Sequence, residues 1–158
     1  MTEEECRHFL SAGTRTAKLA TTRSDGRPHV VPVWFLLDHH YLVFTTGKKS
    51  AKGRSVLRSG HVAICVDDER PPYAFVAVDG RTTTNDDPDE LLSWTTRIAA
   101  RYVGQERADH YARSTPDPIR WWCGSCRRRS SPRTTSWASN RIAPAVGTLS
   151  GCSDSLRG

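Results

Sequence analysis

Only four lysines occur among the 158 residues, against nineteen arginines, and three of them (Lys48, Lys49 and Lys52) stand within five positions of one another. No apolar run approaches the length of a membrane-spanning helix. The opening Met1-Thr-Glu-Glu-Glu-Cys6 has the wrong charge for a secretory leader, so a cytoplasmic protein with no membrane partner is expected. In that setting the five cysteines are expected to be free thiols, not a disulfide framework. The six histidines have no metal-ligand spacing, and Cys123-Gly-Ser-Cys126 has no second pair to complete a zinc ribbon, so no metal is assigned. No pattern identifies a general acid or a nucleophile. Cys65 falls inside an apolar strand, where a thiol is usually a small core residue. No catalytic side chain is assigned.

The net charge of +6 invites a nucleic-acid partner, but its distribution argues against one. Through Pro116, 16 basic residues face 15 acidic ones; from Asp117 onward, 7 face 2. The basicity belongs to a tail. This divides the chain into a main domain, residues 1–116, and an Arg/Ser-rich segment, residues 117–158.

Thr16 to Gly47 reads as three consecutive strands. The first alternates over Thr16–Thr22 and ends in the turn chemistry of Ser24-Asp-Gly-Arg-Pro28. Lys18 lies in that strand with no anion expected beside it. His29–Leu37 is β-rich but contains Pro32, which cannot donate to a ladder, so this strand should be bulged or at an edge there. Asp38-His-His40 makes the next turn, and Tyr41–Phe44 is apolar on both faces. His61–Val66 and Tyr73–Val78 are further strands, and Gly80–Thr84 extends the sheet. Thr2-Glu-Glu-Glu5 has capping-box spacing for a short first helix. Asp87-Pro-Asp-Glu90 opens a long helix with a stripe of Leu91, Thr95, Ile98 and Tyr102, and a last helix covers Arg107–Arg113.

The segment Gly47-Lys-Lys-Ser-Ala-Lys-Gly-Arg54 is where a strand gives way to a helix. A helix N-terminus carries unpaired N–H groups and the positive end of the macrodipole, which together attract phosphate. Ser50 is placed to cap the helix, and its hydroxyl could also donate to a phosphate oxygen. Lys48, Lys49, Lys52 and Arg54 crowd the same junction. The competing interpretation is a solvated basic first turn.

Leu19-Ala-Thr-Thr22, Asp25-Gly-Arg-Pro-His29, Val31-Pro-Val-Trp-Phe35, Thr45-Thr-Gly47, Ser50-Ala-Lys-Gly-Arg54 and Val66-Asp-Asp-Glu-Arg-Pro-Pro-Tyr73 occur here in one order and spacing. Together they resemble the pyridoxamine 5′-phosphate oxidase-like split β-barrel family, in particular its branch that binds the deazaflavin coenzyme F420 in place of FMN. The resemblance covers about Phe9 to Ser114. It implies a mainly β, α+β fold: a six-stranded split barrel with peripheral helices, forming a homodimer with the cofactor in a groove at the interface. It places Ser50 and Lys52 at the phosphate, with Thr46, Lys49 and Arg54 as helpers, and lays the backbone of Pro32, Val33 and Trp34 against the ring. It implies hydride transfer to an electron-poor double bond of a small molecule. FMN chemistry on the same fold is the nearest alternative, followed by a module that binds a flavin, a deazaflavin or haem without turnover.

After Pro118 the resemblance fails. The family ends in an apolar closing strand, whereas Arg120-Trp-Trp-Cys-Gly-Ser-Cys-Arg-Arg-Arg129 has neither helical nor strand period. The expectation is a disordered basic arm or, preferably, a displaced reading frame. Trp121-Trp122-Cys123 read from the third base of each codon encodes two valines whatever codons are used.

Overall fold

The structure, a computed structural model, describes residues 1–85 and 87–114 and, for the backbone alone, 118–128. Helix α1 (Glu3–Ser11) begins at the expected capping box: Thr2 Oγ1 accepts from the Glu5 N–H at 3.1 Å, and Glu5 Oε2 accepts from the Thr2 N–H at 2.6 Å. Strands β1 (Ala17–Thr22), β2 (Pro28–Val33), β3 (Leu36–Asp38) and β4 (Tyr41–Gly47) follow, then helix α2 (Ala51–Ser59). Next come β5 (His61–Asp68) and the 12-residue β6 (Ala74–Asn85), which joins two expected strands across a bulge between Asp79 and Arg81. Helix α3 (Pro88–Val103) is capped by Asp87, whose Oδ1 accepts from the Glu90 N–H at 2.9 Å. Helix α4 (Gln105–Ser114) and strand β7 (Pro118–Arg128) complete the described chain. Among the described residues, no helix is long and apolar enough to cross a membrane.

All strand pairs are antiparallel, in the order β2-β1-β5-β6-β7-β4-β3. Strands β2 and β3 lie at opposite ends of this order, yet only Trp34 and Phe35 separate them in the chain. The sheet must therefore curl until its two edges lie beside each other, which makes it a split barrel. The strand expected over His29–Leu37 is thus two strands, and the described residues form seven where six were expected. Pro32 sits in edge strand β2, opposite Lys18 of β1, where its missing N–H leaves no gap in an interior ladder.

Strand β7 lies in the segment set apart above as a tail without strand period. Its backbone pairs with β4, from Leu42↔Cys123 to Gly47↔Pro118, and with β6 on its other side. A strand between two neighbours draws its order from backbone hydrogen bonds, which need no side-chain alternation. Residues 129–158, the rest of that tail, lie outside the described residues.

The core gathers Leu19, Phe44, Val56, Val66 and Phe35, with Leu10 of α1 over one end. Contrary to expectation, Lys18 has an anionic partner, Asp67 on β5. Asp68 beside it bonds Arg70 and Arg15, and these guanidiniums hold its carboxyl well below the usual carboxylate range. On α3 the stripe of Leu91, Thr95, Ile98 and Ala99 is buried, as is Trp94, whose ring lies 3.9 Å under the Arg97 guanidinium. Cys65 is half-buried, and burial pushes its thiol up, away from nucleophilic character.

The end of α3 fixes the crossing between the two sheet edges. Arg101 donates to the carbonyls of Leu10 (2.8 Å), Gly13 (2.9 Å) and Phe35 (3.1 Å). The Tyr102 hydroxyl donates to the Arg15 carbonyl at 2.9 Å and accepts from the Phe35 N–H at 3.3 Å. Burial raises the Tyr102 pKa, so the phenol stays a neutral donor. Arg101→Leu should remove three hydrogen bonds to backbone carbonyls and cost about 2–4 kcal/mol in urea unfolding. Arg97→Leu, losing one exposed ring contact, should cost about 1 kcal/mol or less in the same measurement.

Candidate functional site

Strand β4 ends at Gly47, and the chain turns through Lys48 and Lys49 into Ser50, the N-cap of α2. The Ser50 hydroxyl donates to the Gly47 carbonyl at 2.8 Å and accepts from the Gly53 N–H at 3.0 Å. A hydroxyl has one proton, so the 3.3 Å contact between Ser50 Oγ and Thr46 Oγ1 has Thr46 as donor. Ser50 thus sets the helix start, and donation to an anion requires it to release Gly47. The N–H groups of Ala51 and Lys52 have no acceptor within the helix. Gly53 is the residue that permits this tight entry: a Cβ there would lie 2.3 Å from the Gly47 carbonyl oxygen.

A cavity of about 360 Å³ lies against this junction, at the slit between the sheet edges. Pro32, Val33 and Trp34 form one wall, Thr45, Thr46 and Gly47 of β4 another, and Lys52 reaches it from α2. Helices α3 and α4 contribute Thr95, Ile98 and Tyr111. Of the eight residues expected at a site, Pro32, Val33, Trp34, Thr46 and Lys52 line the cavity. Ser50 touches it through Thr46. Lys49 and Arg54 do not line it, and the Arg54 guanidinium turns back to donate to the Lys49 carbonyl.

Sequence reasoning missed the helical wall. Thr95 and Ile98 were visible only as members of an apolar stripe, and Tyr111 carried no signal of its own. Trp34 packs against two tyrosines: Tyr102 lies nearly parallel at 4.9 Å, and Tyr111 is tilted by 35° at 4.7 Å. Among the described residues, Lys52 is the charged side chain of this lining, and no carboxylate, imidazole or thiol joins it. Such a site can hold a flat conjugated group with an anion near Lys52. It offers little acid–base chemistry of its own.

The model of the pyridoxamine 5′-phosphate oxidase family matches residues 2–123, and the chain belongs to that family. An F420H(2)-dependent biliverdin reductase of Mycobacterium tuberculosis is 38% identical over 98 residues, covering 60% of this chain and 67% of the relative. Among solved structures, an F420 reductase superposes with a TM-score of 0.60 at 28% identity, covering 73% of this chain and 90% of its own. A conserved hypothetical protein of Mycobacterium tuberculosis shares the fold with a TM-score of 0.70 at 23% identity, covering 81% of this chain and 82% of its own.

Gly53→Ala should force the first turn of α2 away from Gly47, costing about 1–3 kcal/mol in thermal or urea unfolding. Ser50→Ala should cost about 1 kcal/mol through the lost cap.

Proposed function

We propose that this protein is an F420-dependent oxidoreductase that reduces an electron-poor double bond of a small molecule. The observation that carries the proposal is the position of the cavity. It joins the broken edge-strand backbone at Pro32–Trp34 to the cationic N-terminus of α2 at Lys52. Family membership and the 38% identity to an F420H(2)-dependent reductase support an oxidoreductase.

The residues present fit a deazaflavin. The unbonded first-turn N–H groups and the Lys52 ammonium form a donor set suited to a phosphate. The wall of Pro32, Val33 and Trp34 offers a flat surface to a ring, and the cavity volume falls within the range of small-molecule sites. A bound deazaflavin supplies a hydride, carrying carbon where a flavin has N5. The protein's part is to hold the phosphate end at Lys52, to press the ring against the β2 edge and to exclude water with Ile98, Val33 and Tyr111. The absence of an acid or base in the described lining fits that division of labour. FMN is the second candidate, since the same donor set would accept its phosphate.

A homodimer belongs to the same proposal. The outward face of β2-β1-β5-β6 carries Val30, Ala20, Ala63, Cys65, Ala77 and Phe75, with Val30 60% and Phe75 46% exposed. A second copy on that face would cover these apolar residues, which surround the Lys18–Asp67 ion pair of the same face. A cytoplasmic location is likewise proposed.

Titration with F420 and with FMN, read by tryptophan fluorescence, tests the assignment. F420 should quench saturably and more tightly than FMN, and Trp34→Phe should remove most of the response. Tighter binding of FMN would transfer the proposal to flavin chemistry. Lys52→Ala should raise the F420 dissociation constant about 10-fold or more, and Arg58→Ala, on the same helix but away from the cavity, by about 2-fold or less. Equal effects would sink the phosphate assignment.

A further inference from the structure

We propose that Thr95 selects the ring of the bound cofactor by accepting a hydrogen bond from an N–H at the ring's edge. The inference rests on the functional proposal above and adds a specificity residue to it.

Thr95 is only 3% exposed, yet it lines the cavity from the middle of α3. Its hydroxyl donates to the Leu91 carbonyl at 2.8 Å, the i−4 bond open to a threonine within a helix. That bond commits the one hydroxyl proton. What remains for a ligand is lone pairs, so Thr95 acts toward the cavity as an acceptor. Ile98, one turn along α3, and Val33, on the opposite part of the chain, line the same cavity with apolar atoms. An acceptor in such surroundings favours a ligand that brings a donor, and disfavours one that brings a carbonyl or an alkyl group.

This polarity matches one part of a flavin or deazaflavin. In the oxidised state the pyrimidine portion of either ring carries an imide N–H between two carbonyls, and no other edge of the ring then has a built-in N–H donor. Thr46 is already engaged at the β4–α2 junction. Its proton goes to Ser50, and it stands beside Gly47 at the start of α2. The proposal gives the imide edge to Thr95, whose lone pairs remain for a donor, and leaves the phosphate to the first turn of α2 and Lys52.

The test uses 5-deaza-FMN and its N3-methyl analogue, with dissociation constants read from ligand and tryptophan fluorescence. In the unmodified protein N3-methylation should weaken binding about 10-fold or more, the loss expected when a buried acceptor is left facing a methyl group. In Thr95→Val the parent ligand should bind more weakly, and the methyl penalty should fall to about 2-fold or less. Thr95→Ser, which keeps the hydroxyl, should restore the penalty. Should Thr95→Val fail to fold, Thr95→Ala gives the same comparison. A methyl penalty that is absent in the unmodified protein, or unchanged in Thr95→Val, overturns the role of Thr95 alone. An unmodified protein that binds neither F420 nor 5-deaza-FMN overturns the functional proposal and this inference with it.

Discussion

The hydrogen bonds that Arg101 and Tyr102 make at the end of α3 fix the bridge between the two sheet edges, on which one wall of the cavity depends. They tie the carbonyls of Leu10, Gly13 and Arg15 to the backbone of Phe35. Phe35 lies in the two-residue bridge by which the chain leaves one edge of the sheet and joins the other. A sheet whose ends are connected by so short a bridge cannot lie flat, and in the described strand order its two edges do not pair with each other. The slit is thus a consequence of connectivity, and the helix makes it a fixed shape. Trp34, the other residue of the bridge, projects into the aromatic contact with Tyr102 and Tyr111, which couples the slit to the helical wall.

The β4–α2 junction supplies the other half of the site by an equally local device. Gly53 lets the first turn of α2 approach the Gly47 carbonyl, and Ser50 closes the turn by bonding at both ends. These bonds use the hydroxyl protons of Ser50 and Thr46 within the protein. The donors left for an anion are the first-turn N–H groups and the Lys52 ammonium. Rigid donors of this kind bind without reorganising, which suits a permanent anchor better than a catalytic contact.

How much of this was legible in the sequence depended on whether the signal was local. The capping box at Thr2, the N-cap at Asp87, the turn at Asp25-Gly26 and the helix start at Ser50 are written in adjacent residues, and the structure has them there. Pro32 announced a bulge or an edge for a backbone reason, and β2 is an edge strand. The break after Val33 was not readable, because Trp34 and Phe35 are themselves good strand formers and only closure of the sheet forces the chain to leave it. Thr95 and Tyr111 were missed since helical residues reveal the side they bury but not what lies across from it. Lys18 and Asp67 are 49 positions apart in the chain, and their pairing depends on the β1–β5 register. Strand β7 escaped notice because its side-chain pattern has no period, whereas its backbone pairing comes from the neighbours on either side.

The claim that the slit and the α2 terminus form one cofactor site is tested most directly by a crystal structure of the protein with F420. The account predicts the deazaflavin ring against the backbone of Pro32, Val33 and Trp34, with the phosphate at the first turn of α2 and within reach of Lys52. A ring bound on the outward face of the sheet, or a phosphate remote from Ser50 and Lys52, would contradict it.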